Sequence, residues 1–282
     1  MQDTVLITLG RLPKGLELAT ALAHAGCRVI IAEPWAWHLS RVSRAVSRSF
    51  AVTAPNTDVA AYHADLCDII DREGVRLVVP VSEETLHVAA LADRLPAGTT
   101  LYCMPQAVLL ELHDKLSFIR TAQSHDLPVP ATFALDSDEA RALAASRPHI
   151  VKPTLSSAGH GVSLRAAGEA LPTATAPAIV QTYLPGEELS SFSIAHAGRV
   201  IGTVIYRGLI VSGSVAVCFE SVPDPDPAML AWIEQFVSRT GHSGFIAFDF
   251  RRDENGQALP IECNPRTTSG VHFVDPRDLA AA

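Results

Sequence analysis

Two carboxylates and an amide near the end of the chain have the types and spacing of a metal site. Glu262 and Asn264 end the apolar strand pattern of residues 259–263, and Asp249 lies in the strand pattern that precedes it. A turn containing Asn-Gly joins the two patterns, so adjacent antiparallel strands would bring Asp249 and Glu262 side by side on one face. Hard oxygen ligands of this kind suit Mg²⁺ shared with the phosphates of a nucleotide. A hairpin with ordinary polar side chains explains the same residues.

Lysines upstream of this pair favour phosphate chemistry. The chain has 22 basic residues, of which only Lys14, Lys115 and Lys152 are lysines. In a chain dominated by arginine, lysines at 115 and 152 indicate that a compact ammonium is required there. Lys152 leads into a loop of small residues and glycines, residues 154–162, whose backbone N–H groups can fold over phosphate oxygens. For either lysine alone, a solvated surface position is the simpler explanation.

Between these motifs, residues 179–188 form an apolar strand pattern that runs into a Pro-Gly turn. Such a turn presents main-chain N–H and C=O groups to an adenine edge, and the acidic residue after it suits ribose hydroxyls. In isolation the segment is simply a strand and a turn.

The elements that must position these residues change in character near residue 105. The first part alternates strands at 5–9, 28–32, 50–52, 77–81 and 100–102 with helices at 14–25, 63–73 and 83–95. This alternation predicts a parallel sheet wrapped by helices. The second part is predicted to have helices at 113–124 and 227–240 and strands at 149–153, 162–165, 178–182, 190–197, 200–207, 214–219, 244–251 and 258–263. It is typical of an antiparallel α+β module.

Composition excludes several classes of protein. A length of 282 residues with 48% hydrophobic content suggests about two domains, and no apolar run approaches the roughly 20 residues of a membrane span. The N-terminus lacks the basic region of a secretion signal, and five dispersed cysteines without a C-x-x-C pair argue against disulfides or zinc. A net charge of −8 disfavours nucleic acid and anionic lipid. We therefore expect a cytoplasmic protein with small-molecule partners, without nucleic-acid or membrane binding.

Three familiar motifs are incomplete in this chain. Leu12, between Gly10 and Gly15, stands where a dinucleotide-binding fingerprint needs its second glycine. The same segment lacks the Lys and the Ser or Thr that end a P-loop, and residues 241–245 lack the final glycine of a G-x-S-x-G elbow. A nicotinamide-linked oxidoreductase and a serine hydrolase are therefore the weaker interpretations.

The succession of motifs resembles the ATP-grasp superfamily, most closely its carboxylate-amine ligase and carbamoyl-phosphate-synthase-like branches. The resemblance rests on Lys115, on Lys152 with its Gly-rich loop, on the hinge and on Asp249 followed by Glu-Cys-Asn-Pro-Arg at 262–266. It implies a Rossmann-like preATP-grasp domain over residues 1–104 that binds no dinucleotide. Residues 105–282 would be an ATP-grasp domain whose two α+β subdomains, with antiparallel sheets, clamp ATP. Because relatives commonly continue further, we expect a minimal or C-terminally truncated member.

Carried over by position, the resemblance implies a role for each motif residue. The implied nucleotide contacts are Lys115, Lys152, Ser157, Gly159, Gly161, Gln181, Tyr183, Leu184 and Glu188. The implied metal ligands, for Mg²⁺ or alternatively Mn²⁺, are Asp249, Glu262 and Asn264. Arg266, together with Asn264, would act in catalysis by steadying the transferred phosphoryl group. Gln181 departs from the glutamate that many members have, and it accepts hydrogen bonds more weakly.

The function implied by the resemblance is an ATP-dependent ligase that activates a carboxylate as an acyl phosphate for attack by an amine, releasing ADP and phosphate. Its partners would be a small carboxylate and an amine, and a homodimer is compatible with it. A bicarbonate-activating carboxylase-like enzyme and a catalytically inactive ATP-binding protein are the alternatives. Residues 82–84 lie where open α/β sheets place ligand-contacting loops, although helix capping explains them equally well. His272 is a candidate base beside the acceptor pocket, and His160 is assigned no role.

Overall fold

The computed structural model describes residues 2–156, 159–173, 175–212 and 215–281, so Ser157 lies outside the described residues. Three β-sheets, one parallel and two antiparallel, form the framework of this described part of the chain. No helix within it is long and apolar enough to cross a membrane.

A five-stranded parallel sheet begins the chain, in the strand order β3-β2-β1-β4-β5. Its strands are β1 (Thr4–Thr8), β2 (Arg28–Glu33), β3 (Arg48–Ala51), β4 (Val75–Val79) and β5 (Thr100–Leu101). Its helices are α1 (Pro13–His24), α2 (Val59–Glu73) and α3 (Glu84–Val88), with 3₁₀ turns at Leu39–Val42 and Ala89–Arg94. The buried, β-branched central strands confirm the prediction of a parallel sheet covered by helices. Helix α2 starts earlier than predicted because Asp58 caps it, accepting a hydrogen bond from the Ala61 N–H at 3.0 Å.

A small antiparallel sheet follows, in the order β6-β9-β7-β8. Its elements are α4 (Gln106–His113), α5 (Lys115–Ser124), β6 (Thr132–Ala134), α6 (Asp138–Ser146), β7 (His149–Pro153), β8 (Ser163–Arg165) and β9 (Ala178–Thr182). Strand β6 and helices α4 and α6 were not predicted from the sequence. Strand β6 has three residues, and Leu143 is the single large apolar side chain of the alanine-rich helix α6, so neither carries a strong periodic signal.

The second antiparallel sheet is larger, in the order β12-β11-β10-β13-β14. Its strands are β10 (Glu188–His196), β11 (Arg199–Ser212), β12 (Val215–Ser221), β13 (Gly244–Arg252) and β14 (Ala258–Asn264), with helices α7 (Pro227–Thr240) and α8 (Pro276–Ala281) and a 3₁₀ turn at Ser269–Phe273. Helix α7 packs Trp232 and Phe236 against Phe248 of the sheet. This aromatic cluster fixes the β13–β14 hairpin from one face and leaves the opposite face for chemistry.

The parallel sheet and the larger antiparallel sheet share one hydrophobic core. Ile7 of the parallel sheet and Leu18 of α1 belong to the same buried cluster as Phe192 and Phe245 of the larger sheet. The Tyr102 hydroxyl donates to the carbonyl oxygen of Ala195 at 3.0 Å across this junction. The loops at the carboxyl edge of the parallel sheet are thereby held beside the larger sheet.

Candidate active site

Strand register brings the predicted carboxylates together. Asp249 on β13 is paired with Glu262 on β14 and with Ser190 on β10. The Ser190 hydroxyl donates to Asp249 Oδ1 at 2.6 Å. The Asn264 amide nitrogen donates to Asp249 Oδ2 at 3.1 Å and reaches Glu262 Oε1 at 3.4 Å. The three predicted metal ligands therefore adjoin one another.

The two carboxyl groups differ in their protonation. Burial, followed by the neighbouring Glu262 charge, raises the pKa of Asp249 to about 8. Burial acts in the same direction on Glu262, but the ammonium groups of Lys115 and Lys152 outweigh it and hold the pKa of Glu262 below its usual value. An additional cation beside these two carboxyl groups would favour the charged form of Asp249.

Two lysines approach Glu262 from the small sheet and its preceding helix. Lys115 begins α5, and its Nζ lies 3.4 Å from Glu262 Oε2 and donates to the Ser156 carbonyl at 2.9 Å. Lys152 is the penultimate residue of β7, and its Nζ donates to the Ile261 carbonyl at 2.9 Å. Both side chains are buried, and burial lowers the pKa of Lys152 to about 8 although Glu262 opposes the shift. The site thus holds two ammonium groups away from bulk water.

The glycines between β7 and β8 have the backbone geometry that only glycine adopts readily. Gly159 and Gly161 have φ angles of 69° and 75°. A Cβ at Gly161 would also lie 2.9 Å from Pro153 Cγ. Gly159 lines the cavity into which Lys152 and Glu262 also face, whereas Gly161 does not.

The backbone N–H groups of the hinge after β9 differ in whether they have a hydrogen-bond partner. The Tyr183 N–H donates to the Pro148 carbonyl at 3.2 Å, but the Leu184 N–H makes no hydrogen bond with the described part of the chain. Gln181 is buried, and its amide nitrogen donates to Thr132 Oγ1 at 2.9 Å, which leaves the amide oxygen as an acceptor. This donor and acceptor are the pair that an adenine edge requires.

Glu188 is the acidic residue that follows the hinge. It is exposed at the start of β10, with Oε2 3.8 Å from Arg251 Nη1. The Arg251 guanidinium lies 5.7 Å from the centre of the Tyr183 ring. Glu188 therefore sits beside the hinge, where the acidic residue was predicted.

A single cavity of about 730 Å³ collects most of these residues. The predicted residues that line it are Lys152, Gly159, Gln181, Tyr183, Leu184, Glu188, Asp249, Glu262, Asn264 and Arg266. Lys115 reaches the site through its contact with Glu262 instead. The lining also includes residues to which no role was assigned, among them Lys14 of α1, Ser190 of β10 and Tyr206 of β11. Ser82 and Glu83, from the candidate ligand-contacting loop, line the cavity too, as do Thr268 and Ser269 after Arg266.

The loop after β4 contributes a charge to this cavity. Glu83 Oε1 lies 2.8 Å from Arg266 Nη2, and the same nitrogen donates to Asn264 Oδ1 at 3.0 Å. Helix α3 starts without a side-chain cap from Glu83, so the ligand-loop interpretation is favoured over helix capping. His272 is exposed, with Nδ1 3.4 Å from Glu17 Oε2, and lies outside the cavity lining.

Solved structures share this fold across nearly the whole chain. An L-amino acid ligase from Bacillus licheniformis has a TM-score of 0.71 at 17% identity, covering 96% of this chain and 69% of that one. An N5-carboxyaminoimidazole synthetase from Staphylococcus aureus has a TM-score of 0.71 at 17% identity, covering 97% and 73%. The biotin carboxylase domain of a 2-oxoglutarate carboxylase from Hydrogenobacter thermophilus, solved with MgADP, ADP and bicarbonate, has a TM-score of 0.71 at 14% identity, covering 99% and 69%.

At these identities the likeness concerns the fold, and no curated protein matches the chain significantly. The family model that describes an ATP-grasp domain matches residues 112–270, more than half of the chain. The match takes in both antiparallel sheets, Arg266 and every residue predicted to bind the nucleotide or the metal. The chain therefore belongs to the ATP-grasp family.

Proposed function

We propose that the protein is an ATP-dependent ligase that converts a carboxylate into an acyl phosphate and joins the acyl group to an amine. The observation that carries this proposal is the convergence of Lys152, Asp249, Glu262, Asn264 and Arg266 on one cavity that also reaches the hinge. Amide formation from a free carboxylate is uphill in water, so transfer of a phosphoryl group must precede it. Such a reaction needs positioning and charge neutralisation, which this cavity supplies.

The domain organisation proposed with this function places the preATP-grasp domain at residues 1–104 and the ATP-grasp domain at 105–282. The parallel order β3-β2-β1-β4-β5 supports the first assignment. The second is supported by two antiparallel sheets that both contribute to the walls of the cavity.

ATP would lie between the small and the larger antiparallel sheet. The Leu184 N–H and the Gln181 amide oxygen are suited to the adenine edge, with Glu188 near the ribose hydroxyls. As the family resemblance implies, Lys115 and Lys152 would contact the α and β phosphates, and Lys152 would also reach the adenine. The nearness of both ammonium groups to Glu262 supports this placement. The loop containing Gly159, Gly161 and Ser157 would cover the β and γ phosphates.

Asp249, Glu262 and Asn264 would hold Mg²⁺, or alternatively Mn²⁺. No cluster of three or more His, Cys, Asp or Glu side chains arranged for a metal occurs among the described residues, so the proposed site depends on two carboxylates and an amide. The donor set fits a hard cation, provided that the Asn264 side chain turns its oxygen toward the carboxylates. When bound, the ion neutralises charge on the phosphate oxygens.

Arg266 would orient the reacting carboxylate. Its guanidinium forms paired hydrogen bonds with a carboxylate or phosphoryl group, and it binds the carboxylate of Glu83 in this structure. A substrate carboxylate oxygen would attack the γ-phosphorus, with ADP as the leaving group. The amine nitrogen would then attack the acyl carbon, form the C–N bond and release phosphate with loss of a proton.

Substitution of Glu262 or Lys152 tests the proposal. The protein is assayed for ADP release from ATP with a panel of amino acids and small carboxylates as acceptors. We expect Glu262→Ala and Lys152→Ala to abolish the ADP release that depends on these acceptors. Asp68→Ala, on the exposed face of α2, is the matched control and should retain wild-type activity. Full activity of either site variant would refute the assignment. Binding of MgADP without any turnover across the panel would instead favour an inactive ATP-binding protein.

A second candidate is an enzyme that activates bicarbonate. It is favoured by the equal TM-scores of the ligase, the N5-carboxyaminoimidazole synthetase and the biotin carboxylase domain, the last solved with bicarbonate. The two candidates differ in what ADP release requires. Dependence on bicarbonate in the absence of any added amino acid would select the carboxylase-like activity.

A further inference from the structure

All three lysines of the chain meet at this one site. Lys115 and Lys152 come from the region of the small sheet, whereas Lys14 lies in the first turn of α1, beside the carboxyl edge of the parallel sheet. Lys14 lines the same cavity as Lys152, and Lys115 contacts Glu262 in its wall. Because the chain otherwise uses arginine for its cations, this convergence indicates that Lys14 belongs to the same site as the other two lysines.

Lys14 is held in place but not neutralised. Its Nζ lies 3.3 Å from the Ser82 hydroxyl, and no carboxylate of the described residues lies within 4.0 Å of it. The side chain is half-buried, and the nearby Arg266 charge adds to the cost of its own charge. A partly buried ammonium group without an ion-pair partner has N–H donors that can bind an anion.

Arg266 beside it also has unused donor capacity. Its side chain is 13% exposed, and one nitrogen, Nη2, makes both contacts, with Glu83 and with Asn264. Arg266 Nε is buried and has no hydrogen-bond partner among the described residues. Since Ser82 holds Lys14 and the adjacent Glu83 contacts Arg266, one short loop sets the spacing of the two cations.

The start of α1 adds to the positive potential at this end of the cavity. The helix begins at Pro13 with no side chain capping its N-terminus. Although the Gly15 N–H donates to the Leu12 carbonyl at 3.0 Å, the aligned peptide dipoles of the helix give that end a partial positive charge, which favours an anion nearby. Thr268 and Ser269 supply further hydroxyl groups to the same cavity.

We infer that Lys14 binds a second anionic group, a carboxylate or a phosphate, of the substrate whose reacting carboxylate lies at Arg266. This inference rests on the proposed function, and it makes the substrate an acid with at least two negative charges. Lys14 is then a specificity-determining residue. An acid with a single negative charge leaves the ammonium unpaired and binds less tightly.

Calorimetric titration with two probe anions, succinate and inorganic phosphate, tests this assignment. At least one probe should bind the wild-type protein, and the stronger one identifies the anion as a carboxylate or a phosphate. Lys14→Met should weaken that binding by about tenfold or more, since a charge-assisted hydrogen bond is lost. Lys14→Arg should retain most of it. Arg277→Met, which removes a cation that is 90% exposed, is the matched control and should bind like the wild type.

Separate titrations with MgADP distinguish this inference from the proposed function. Lys14→Met should bind MgADP like the wild type, which also shows that the variant is folded. If neither anion binds the wild type at tens of millimolar, or if binding is unchanged in Lys14→Met, the inference is wrong. Equal loss in Lys14→Met and Lys14→Arg would likewise exclude recognition by charge. Failure of the wild type to bind MgADP would count against the proposed function alone, because the anions are also titrated without nucleotide.

Discussion

Replacing Lys152 by methionine should stabilise the nucleotide-free protein while removing its response to nucleotide. Lys152 is 4% exposed, and the one hydrogen bond found for its Nζ in the described chain goes to the Ile261 carbonyl. Methionine has a similar length and no charge, so it fills the same volume without the cost of burying an ammonium group. The change therefore separates the stability of the fold from the proposed contact with phosphate.

The size of the effect follows from the pKa of Lys152. Burial lowers it from 10.5 to about 8, and this difference corresponds to about 3 kcal/mol of unfolding free energy. Loss of the hydrogen bond to Ile261 offsets about 1 kcal/mol of it. We therefore expect Lys152→Met to raise the free energy of unfolding by about 2 kcal/mol at pH 7.

The sign of the pH dependence is fixed by the same pKa. Below pH 8 the lysine is protonated in both the folded and the unfolded state, so the wild type bears the full cost of burial. As pH rises from about 8 towards 10.5, the folded state loses the proton first and the wild type gains stability. The difference between the variant and the wild type should therefore shrink across this interval.

Urea unfolding with and without MgADP measures both effects. A saturating nucleotide at one hundred times its dissociation constant would add about 2.7 kcal/mol to the wild type and little to Lys152→Met. Lys115→Met is the matched control, because Lys115 is equally buried but paired with Glu262 at 3.4 Å. It should lose about 1–3 kcal/mol, since the partly buried Glu262 carboxylate loses this ion pair. A Lys152→Met protein that is less stable than the wild type, or stabilised equally by MgADP, would refute the reasoning.

Two other predictions concern the core and the proposed anion site. Trp232→Ala should lower the free energy of unfolding by about 3–5 kcal/mol in urea, because Trp232 stacks on Phe236 and packs edge-on against Phe248; a loss under about 1 kcal/mol would contradict this packing. Burial and Arg266 lower the pKa of Lys14 to about 8, against the pull of Glu83. The affinity for succinate or phosphate, measured by calorimetry, should therefore fall as pH rises through 8. In Lys14→Arg the affinity should stay constant, and a wild type whose affinity is equally constant would count against the prediction.

The pairing of the two proposed metal ligands was predictable because the contact between them is local. Asp249 and Glu262 lie on consecutive strands joined by a short turn, so strand alternation and turn chemistry are enough to place them side by side. Ser190 was missed for the opposite reason. It reaches Asp249 through the pairing of β10 with β13, which are separated by β11, β12 and α7, and no pattern within either segment encodes that pairing.

The same distinction explains Lys14. The segment around it contains only an incomplete nucleotide-binding motif, and its lysine acquires a role only when the parallel sheet packs on the larger antiparallel sheet. That packing depends on the complementarity of two apolar surfaces, which hydrophobic periodicity in one segment does not specify. The scarcity of lysine was the signal in the composition that pointed to this residue.

Charge balance explains why such a site has to be assembled from distant segments. The protein carries a net charge of −8, yet its proposed ligand, ATP, is itself strongly anionic. The charged groups of the cavity wall are Lys14, Lys152, Arg251, Arg266, Glu83, Glu188, Asp249 and Glu262, with Lys115 touching Glu262. Because the pKa of Asp249 is raised to about 8, one of the four acids is largely neutral at pH 7, and positive charge prevails locally. A fold that draws its cations from three sheets can concentrate them in one cavity while the rest of the surface stays acidic, which focuses an anionic ligand there.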